Sequence, residues 1–131
     1  MTLCLVAKRM LEFTLPWPQP KLSPNSRTHW SILAREKKIY RGACWATAKD
    51  QLKGWMPELP IGPLLLELEF VPPHRREYDR DNLVARMKSG IDGLCDALRC
   101  DDKRFTTLTA RVNAEQIGGL VRVRISKEPL P

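Results

Sequence analysis

The sequence predicts an α/β (α+β) fold in which a single domain packs two helices on a small mixed sheet. Apolar and polar residues alternate in four short segments, which is typical of strands with one buried face. Two longer segments repeat apolar residues every three or four positions, which indicates amphipathic helices. The length of 131 residues suits one domain, residues 1–131, with one hydrophobic core.

The predicted elements follow the order β-α-β-α-β-β. Residues 11–15 alternate and form the first strand, which is followed by a proline-rich loop. The proline-free segment 28–53 is the first helix, and residues 64–71 form a second strand that Pro72 and Pro73 end. Residues 81–98 then form one continuous second helix.

Two further alternating segments close the chain, and we interpret them as a hairpin. The turn that joins them spans residues 116–119 and contains two glycines. The side chains predicted to face the core are Leu108, Ala110, Val112, Val121, Val123 and Ile125.

The chain is basic, with 22 Lys and Arg against 15 Asp and Glu and a formal net charge of +7. Such an excess in a small domain indicates a polyanionic partner such as nucleic acid, although basic residues also keep a surface soluble. The basic residues that surround or follow an acidic cluster are the predicted DNA contacts: Arg75, Arg76, Arg80, Lys103 and Arg104.

The sequence contains no apolar run near the roughly 20 residues that a membrane span needs, and its first residues lack a secretion signal. We therefore expect a cytoplasmic protein with no membrane partner. The four cysteines, Cys4, Cys44, Cys95 and Cys100, lack the spacing of a zinc site. They are expected to be reduced and partly buried thiols.

Two carboxylates, Asp79 and Asp81, stand where the second strand has ended and the second helix begins. Residues i and i+2 of an extended backbone point to the same side, so both carboxylates can bind one hard cation. In the alternative interpretation Asp81 is only the N-cap of the helix and Asp79 pairs with an arginine. That alternative explains Asp81 well and Asp79 poorly.

A second acidic pair, Asp101 and Asp102, follows the helix, where the helix dipole disfavours carboxylates, although a solvated turn also explains it. Asp102 would add a third carboxylate to a metal site. Lys88 lies seven residues beyond Asp81, on nearly the same helical face, where its ammonium can reach a metal-bound phosphate; alternatively it is an exposed helical lysine. Asp92 is too far along the helix to share that metal and is interpreted as salt-bridging or structural.

These residues together resemble the RusA-type Holliday-junction resolvases, which are found in phages and prophages. The likeness spans most of the chain and depends on the order and spacing of several motifs. The motifs are Leu15-Pro16-Trp17-Pro18, Ser23-Pro24-Asn25, Asp79-Arg80-Asp81-Asn82-Leu83, Lys88 with Ile91-Asp92-Gly93-Leu94, and Asp101-Asp102. The family-like sequence begins near Met10, so residues 1–10 are interpreted as an N-terminal extension.

The resemblance implies a Mg²⁺ site formed by Asp79, Asp81 and Asp102, with Mn²⁺ as a substitute, and a catalytic lysine. In the founding pattern that lysine follows the second motif aspartate by four residues, where this chain has Ala85. Counting back from residues 91–94 selects Lys88 instead, because an insertion of three residues is close to one helical turn. Arg86 would lie on the wrong side of the helix.

The resemblance also implies the activity and the partners. The reaction is Mg²⁺-dependent hydrolysis of phosphodiester bonds in four-way DNA junctions, during DNA recombination and repair. A homodimer is implied because two symmetric cuts resolve a junction. The gene is expected to belong to a phage or prophage in a bacterial host.

Two alternatives to a junction resolvase stay open. The same site would serve a related nuclease that acts on flaps or forks, and a basic dimeric DNA-binding protein without catalytic activity would have a structural acidic cluster.

Non-catalytic roles are expected for the tryptophans and the histidines. The four tryptophans are expected mostly in core or dimer packing, His29 in the first turn of a helix, and His74 at a phosphate.

Overall fold

Between residues 10 and 129 the chain forms three helices and a four-stranded mixed sheet, which confirms the α+β class. The computed structural model describes residues 10–129, so the predictions about Cys4, a secretion signal and an N-terminal extension fall almost wholly outside the described residues. The elements are β1 (Met10–Pro16), a 3₁₀ turn (Pro20–Leu22), α1 (Trp30–Leu52), β2 (Leu64–Val71), α2 (Arg80–Arg86), α3 (Lys88–Leu98), a second 3₁₀ turn (Asp102–Arg104), β3 (Phe105–Val112) and β4 (Leu120–Lys127).

The core lies between the helices and one face of the sheet. Alternation along β2 buries one set of side chains almost completely, and the equivalent set of β4 is buried with it. Burial of these large apolar groups is the main favourable contribution to folding. The strand residues that belong to this core are Phe13, Leu15, Leu64, Leu66, Leu68, Phe70, Val121, Val123 and Ile125.

The predicted closing hairpin is wrong. The strand order is β1-β4-β2-β3, so β4 lies antiparallel between β1 and β2, while β3 pairs in parallel with the other side of β2. The loop 113–119 crosses the end of β2, where the Asn113 N–H donates to the Phe70 carbonyl and the Gly119 N–H donates to the Val71 carbonyl. In this interior position the apolar side chains of β4, Val121, Val123 and Ile125, are almost completely buried.

The outermost position of β3 also changes which of its side chains are buried. Leu108 was predicted to face the core but is 42% exposed, and Ala110 and Val112 are only half-buried. An edge strand has a neighbour on one side only, so its apolar residues receive less cover than those of β4.

The predicted continuous helix 81–98 is also wrong, because the chain breaks it at Met87 into α2 and α3. Met87 is fully buried, and the Tyr40 hydroxyl lies 3.0 Å from its sulfur while donating to the Pro16 carbonyl at 2.7 Å. Next to it the buried Arg86 donates through Nε to the Pro18 carbonyl at 3.2 Å. Arg86 is thereby anchored to the loop after β1 and Met87 contacts Tyr40 of α1, while the backbone at Met87 stays right-handed with φ −78° and ψ −13°.

Helix α3 packs closely against α1. Gly93 allows this approach, because a Cβ at that position would overlap the backbone carbonyl oxygen of Arg41. At the rim of the same contact the Arg41 guanidinium binds Asp96 through two hydrogen bonds of 2.7 and 2.9 Å. The Asp96 carboxylate holds the pKa of Arg41 above its usual value.

The described cysteines have the predicted environments, whereas most of the tryptophans lie outside the core. Within the described residues Cys44 and Cys95 are buried, Cys100 is half-buried and all are free thiols, as predicted. Among the tryptophans only Trp17 lies in the core. The expected core packing of Trp30, Trp45 and Trp55 is wrong because these side chains are exposed, and dimer packing stays a prediction.

No helix between residues 10 and 129 has the length and apolar character that crossing a membrane requires.

Candidate functional site

The N-terminus of α2 carries the two carboxylates of the first acidic motif. Asp79 is the N-cap, and its Oδ1 accepts hydrogen bonds from the backbone N–H groups of Asp81 at 2.9 Å and Asn82 at 3.3 Å. The expectation that capping explains Asp81 and leaves Asp79 unexplained is therefore wrong. A cap satisfies N–H groups that have no partner inside the helix, which gives Asp79 a structural role whatever else it does.

Asp81 lies in the first turn of α2 with its side chain 88% exposed. Its Oδ1 is 3.7 Å from Nε of Arg80, a weak surface ion pair. Asp79 is extended but Asp81 is already helical, so the argument that both carboxylates share one side of an extended backbone does not apply. Asp81 thus makes fewer contacts within the protein than Asp79, so its carboxylate is the more accessible of the two to a ligand.

Lys88 begins α3 and lies beside Asp102, with 4.0 Å between Nζ and Oδ2. The break at Met87 removes the single helix on which Lys88 and Asp81 were expected to share a face. The turn that follows α3 brings Asp102 back to the start of the helix. Both side chains keep substantial exposure, 78% for Lys88 and 43% for Asp102, so a ligand can reach them.

Two neighbouring depressions connect these groups along the surface. One, of about 280 Å³, contains Lys88 and Asp102, and the other, of about 440 Å³, contains Asp81 and Arg80. Val84 and Leu108 line both depressions. Leu108 is therefore exposed at the wall between the two ends of the candidate site.

Asp92 lies in the candidate site, although the sequence analysis placed it outside. It lines the same depression as Lys88 and Asp102, and of its two expected roles, salt-bridging or structural, no ion pair among residues 10–129 represents the first. It follows Lys88 by four residues, which places the two on one face of a helix. The spacing of four residues between Lys88 and Asp92 was the signal available in the sequence. Asp92 was excluded because its distance was counted from Asp81, along a helix assumed to be continuous.

The predicted metal ligands do not form a closed cluster. Between residues 10 and 129 the structure contains no group of three His, Cys, Asp or Glu side chains placed to hold one metal ion. Asp81 and Asp102 lie in adjoining depressions, and Asp79 lines neither of them. The arrangement is an open surface with a cation beside carboxylates.

A partly buried hydrogen bond attaches the loop after β1 to the acidic motif. Ser23, a buried polar residue, donates from Oγ to Oδ1 of Asn82 at 2.6 Å and accepts from the Asn25 N–H at 3.2 Å. Asn82 follows Asp81 directly, so this bond fixes the first turn of α2 against the loop. The Ser23 and Asp79 segments, distant in sequence, thereby form one unit.

Replacing Ser23 with Ala is expected to lower the free energy of unfolding by about 1–2 kcal/mol, because the Asn82 amide loses a buried partner. Urea unfolding at pH 7 measures the loss. Ser89→Ala is the control, since Ser89 makes no side-chain hydrogen bond within the described part of the chain. Equal unfolding midpoints for the two variants would contradict the anchoring role.

Most of the predicted DNA contacts are exposed around the site. Arg75, Arg76, Arg80 and Lys103 all reach solvent, and the Arg76 guanidinium lies 4.9 Å above the Tyr78 ring. Arg104 differs, because its guanidinium binds the carbonyl oxygens of Pro60 and Gly62 and so holds the loop before β2.

The two histidines differ in their roles. His29 is the N-cap of α1 and not a first-turn residue, because its Nδ1 accepts from the Ser31 N–H at 3.2 Å. His74 lines a surface depression of about 420 Å³ together with Arg75 and Arg76. A phosphate contact by His74 stays a prediction.

The fold and site define a single-domain α+β protein with an open lysine–carboxylate surface. No family model matches the chain. It is 42% identical over 111 residues to an uncharacterized protein of Xylella fastidiosa, an alignment that covers 82% of this chain and 71% of the relative. The chain belongs to the same protein family as that bacterial relative.

Proposed function

We propose that this protein is a Mg²⁺-dependent endodeoxyribonuclease of the RusA type that resolves four-way DNA junctions. The observation that carries the proposal is the placement of Lys88 beside Asp102, at 4.0 Å, in a depression that continues to Asp81. An ammonium next to carboxylates on a chain of net charge +7 suits a phosphodiester, which needs both positive charge and a metal.

The donor atoms suit the proposed metal. Asp81 and Asp102 offer carboxylate oxygens, and Asp79 keeps Oδ2 available because only its Oδ1 accepts the capping hydrogen bonds. Mg²⁺ is commonly held by one or two carboxylates together with substrate phosphates, so an open site is compatible with it, and Mn²⁺ accepts the same donors. A bound ion would supply an activated water and neutralise charge on the phosphate.

The chain's own side chains supply the remaining interactions. A phosphate that enters the depression competes with Asp102 for the Lys88 ammonium, and the ammonium then stabilises the negative charge that grows during hydrolysis. The exposed arginines and Lys103 bind flanking phosphates, while Arg104 contributes less because it holds a loop. Binding should weaken steeply with salt.

The proposal includes a homodimer, because two symmetric cuts need two active sites related by a two-fold axis. It also includes action in the cytoplasm of a bacterial cell, on behalf of a phage or prophage. The bacterial source of the relative supports the bacterial setting.

The experiment that tests the function is cleavage of a labelled four-way junction with Mg²⁺, beside a linear duplex of matched sequence. We expect paired symmetric nicks in the junction and an intact duplex. Cleavage of flaps or forks in preference to junctions would indicate the related nuclease. Tight binding without Mg²⁺-dependent cleavage would leave a non-catalytic DNA-binding protein and contradict the proposal.

Replacing Lys88 with Gln in the same assay is expected to slow cleavage about 100-fold, because one preorganised cationic donor is lost. Binding in EDTA should change only a few-fold, since one exposed cation among many contributes little to affinity. Lys38→Gln removes the same charge from an exposed residue of α1 that lines neither depression of the candidate site, and it is the matched control. Equal cleavage rates for the two variants would exclude the proposed role of Lys88.

A further inference from the structure

Cys95 and Cys100 occupy two linked positions at the C-terminus of α3. Arg99 adopts a left-handed conformation with φ 55°, and the Cys100 N–H donates to the Cys95 carbonyl at 3.1 Å. This backbone hydrogen bond, between residues five apart across a left-handed residue, is that of a Schellman motif. The motif ends the helix and turns the chain back toward its last turn.

The same motif brings the two side chains together. Residues at these two positions of a Schellman motif frequently make an apolar contact, and here both positions carry thiols. Cys95 is only 5% exposed, whereas Cys100 is half-buried and can be reached from solvent. The solvent-accessible thiol of the pair is therefore that of Cys100, and the buried thiol is that of Cys95.

We propose that Cys95 and Cys100 form a reversible dithiol site that glutathione disulfide, or a disulfide of the same class, oxidises to an intramolecular disulfide. Backbone geometry prepares the pair, because the hydrogen bond of the motif holds the two residues at close range without further folding. Disulfides that form in a reducing compartment are usually transient, and a pair at a helix end on the surface suits such a role.

The reaction balances by two successive exchanges. The Cys100 sulfur, as thiolate, attacks one sulfur of glutathione disulfide and releases one glutathione thiolate, which leaves a mixed disulfide on Cys100. Cys95 then loses its proton to solvent, and its sulfur attacks the Cys100 sulfur and releases the second glutathione. The two protein thiols lose two electrons, and one glutathione disulfide gains them as two glutathione molecules.

The site goes beyond the proposed nuclease function and does not depend on it. Asp102 follows Cys100 by two residues, and Lys88 begins the helix whose last turn contains Cys95. A bridge would covalently attach the segment that carries Asp102 to the end of α3. Oxidation would therefore restrict the chain next to the lysine–carboxylate surface.

The test is oxidation of the reduced full-length chain in glutathione buffers of increasing oxidised fraction, followed by alkylation, intact mass and peptide mapping. We expect a product that has lost two hydrogens and two alkylation sites, with the linkage between Cys95 and Cys100. Cys44 is the internal control, because it is fully buried and burial raises the pKa of its thiol to about 11. The measurement is repeated in Cys4→Ser, so that any bridge to Cys4 is recognised.

Single replacements then separate the two exchanges. Cys95→Ala should stop at a Cys100–glutathione mixed disulfide, whereas Cys100→Ala should leave the buried Cys95 unmodified. Full alkylation of both thiols in buffers that oxidise a reference dithiol would overturn the proposal, as would linkage of either cysteine to another partner. Because the mapping uses no nuclease assay, its result stands whether or not the chain cleaves DNA.

Discussion

Replacing Asp81 with Asn is expected to reduce cleavage of a four-way junction by about 10³-fold, the scale of losing one electrostatic contributor to a preorganised site. Asp81 is the freer carboxylate of the acidic motif, since Asp79 caps α2 and Asp102 faces Lys88. The amide keeps the shape of the side chain but removes the charge that a hard cation needs. Single-turnover cleavage with Mg²⁺ measures the effect.

The fold should tolerate this change. Asp81 makes only a 3.7 Å surface ion pair with Arg80, and its helix-dipole contribution is about 0.3–1 kcal/mol. Junction binding in EDTA should be unchanged or tighter, because a negative charge near the DNA is removed. Asp50→Asn, an exposed carboxylate in the last turn of α1, is the control. Wild-type cleavage by Asp81→Asn would remove Asp81 from the proposed site.

Replacing Gly93 with Ala is expected to lower the free energy of unfolding by about 3 kcal/mol, at the upper end of the usual cost of overpacking. The added Cβ would overlap the backbone carbonyl oxygen of Arg41 and would lie 3.2 Å from the backbone nitrogen of Trp45, both in α1. Backbone atoms cannot rotate away as a flexible side chain does, so α1 and α3 must separate. Urea unfolding followed by circular dichroism measures the loss.

Gly42→Ala provides a matched control on the facing helix. Gly42 lies within α1, and a Cβ there would meet nothing within 4 Å. Because Ala is the better helix former, this variant should gain about 0.5–1 kcal/mol. The two substitutions add the same methyl group with opposite expected signs, so a similar effect of both would contradict the close packing of α3 on α1.

Local sequence patterns were sufficient for the elements whose burial follows one simple period. Alternation over residues 64–71 identified β2 within its true bounds, and the proline-free segment 28–53 contained all of α1. Both predictions are confirmed because side-chain direction repeats every two residues in a strand and about every 3.6 in a helix. The acidic motif was likewise placed correctly at the start of a helix.

The break at Met87 could not be predicted from periodicity, because apolar spacing continues across it from Leu83 to Leu98. It depends on Arg86 and Met87 contacting Pro18 and Tyr40, which are far away in sequence. The sequence pattern places the N-cap of α2 at Asp81, whereas the structure has Asp79 there, for a similar reason. A cap depends on where the helix begins to within one residue, and patterns do not determine helix ends that closely.

The sequence by itself was sufficient to predict a basic, single-domain α+β protein and to locate its two acidic motifs. It also selected Lys88 as the candidate catalytic lysine. Tertiary structure alone decided which strands are neighbours and which charges meet. β4 lies between β1 and β2, where its apolar face is buried, and not beside β3, to which it is joined by a short loop. Asp102 reached Lys88, and Cys100 reached Cys95, because a helix ended and the chain turned back, and such contacts depend on distances that no local pattern contains.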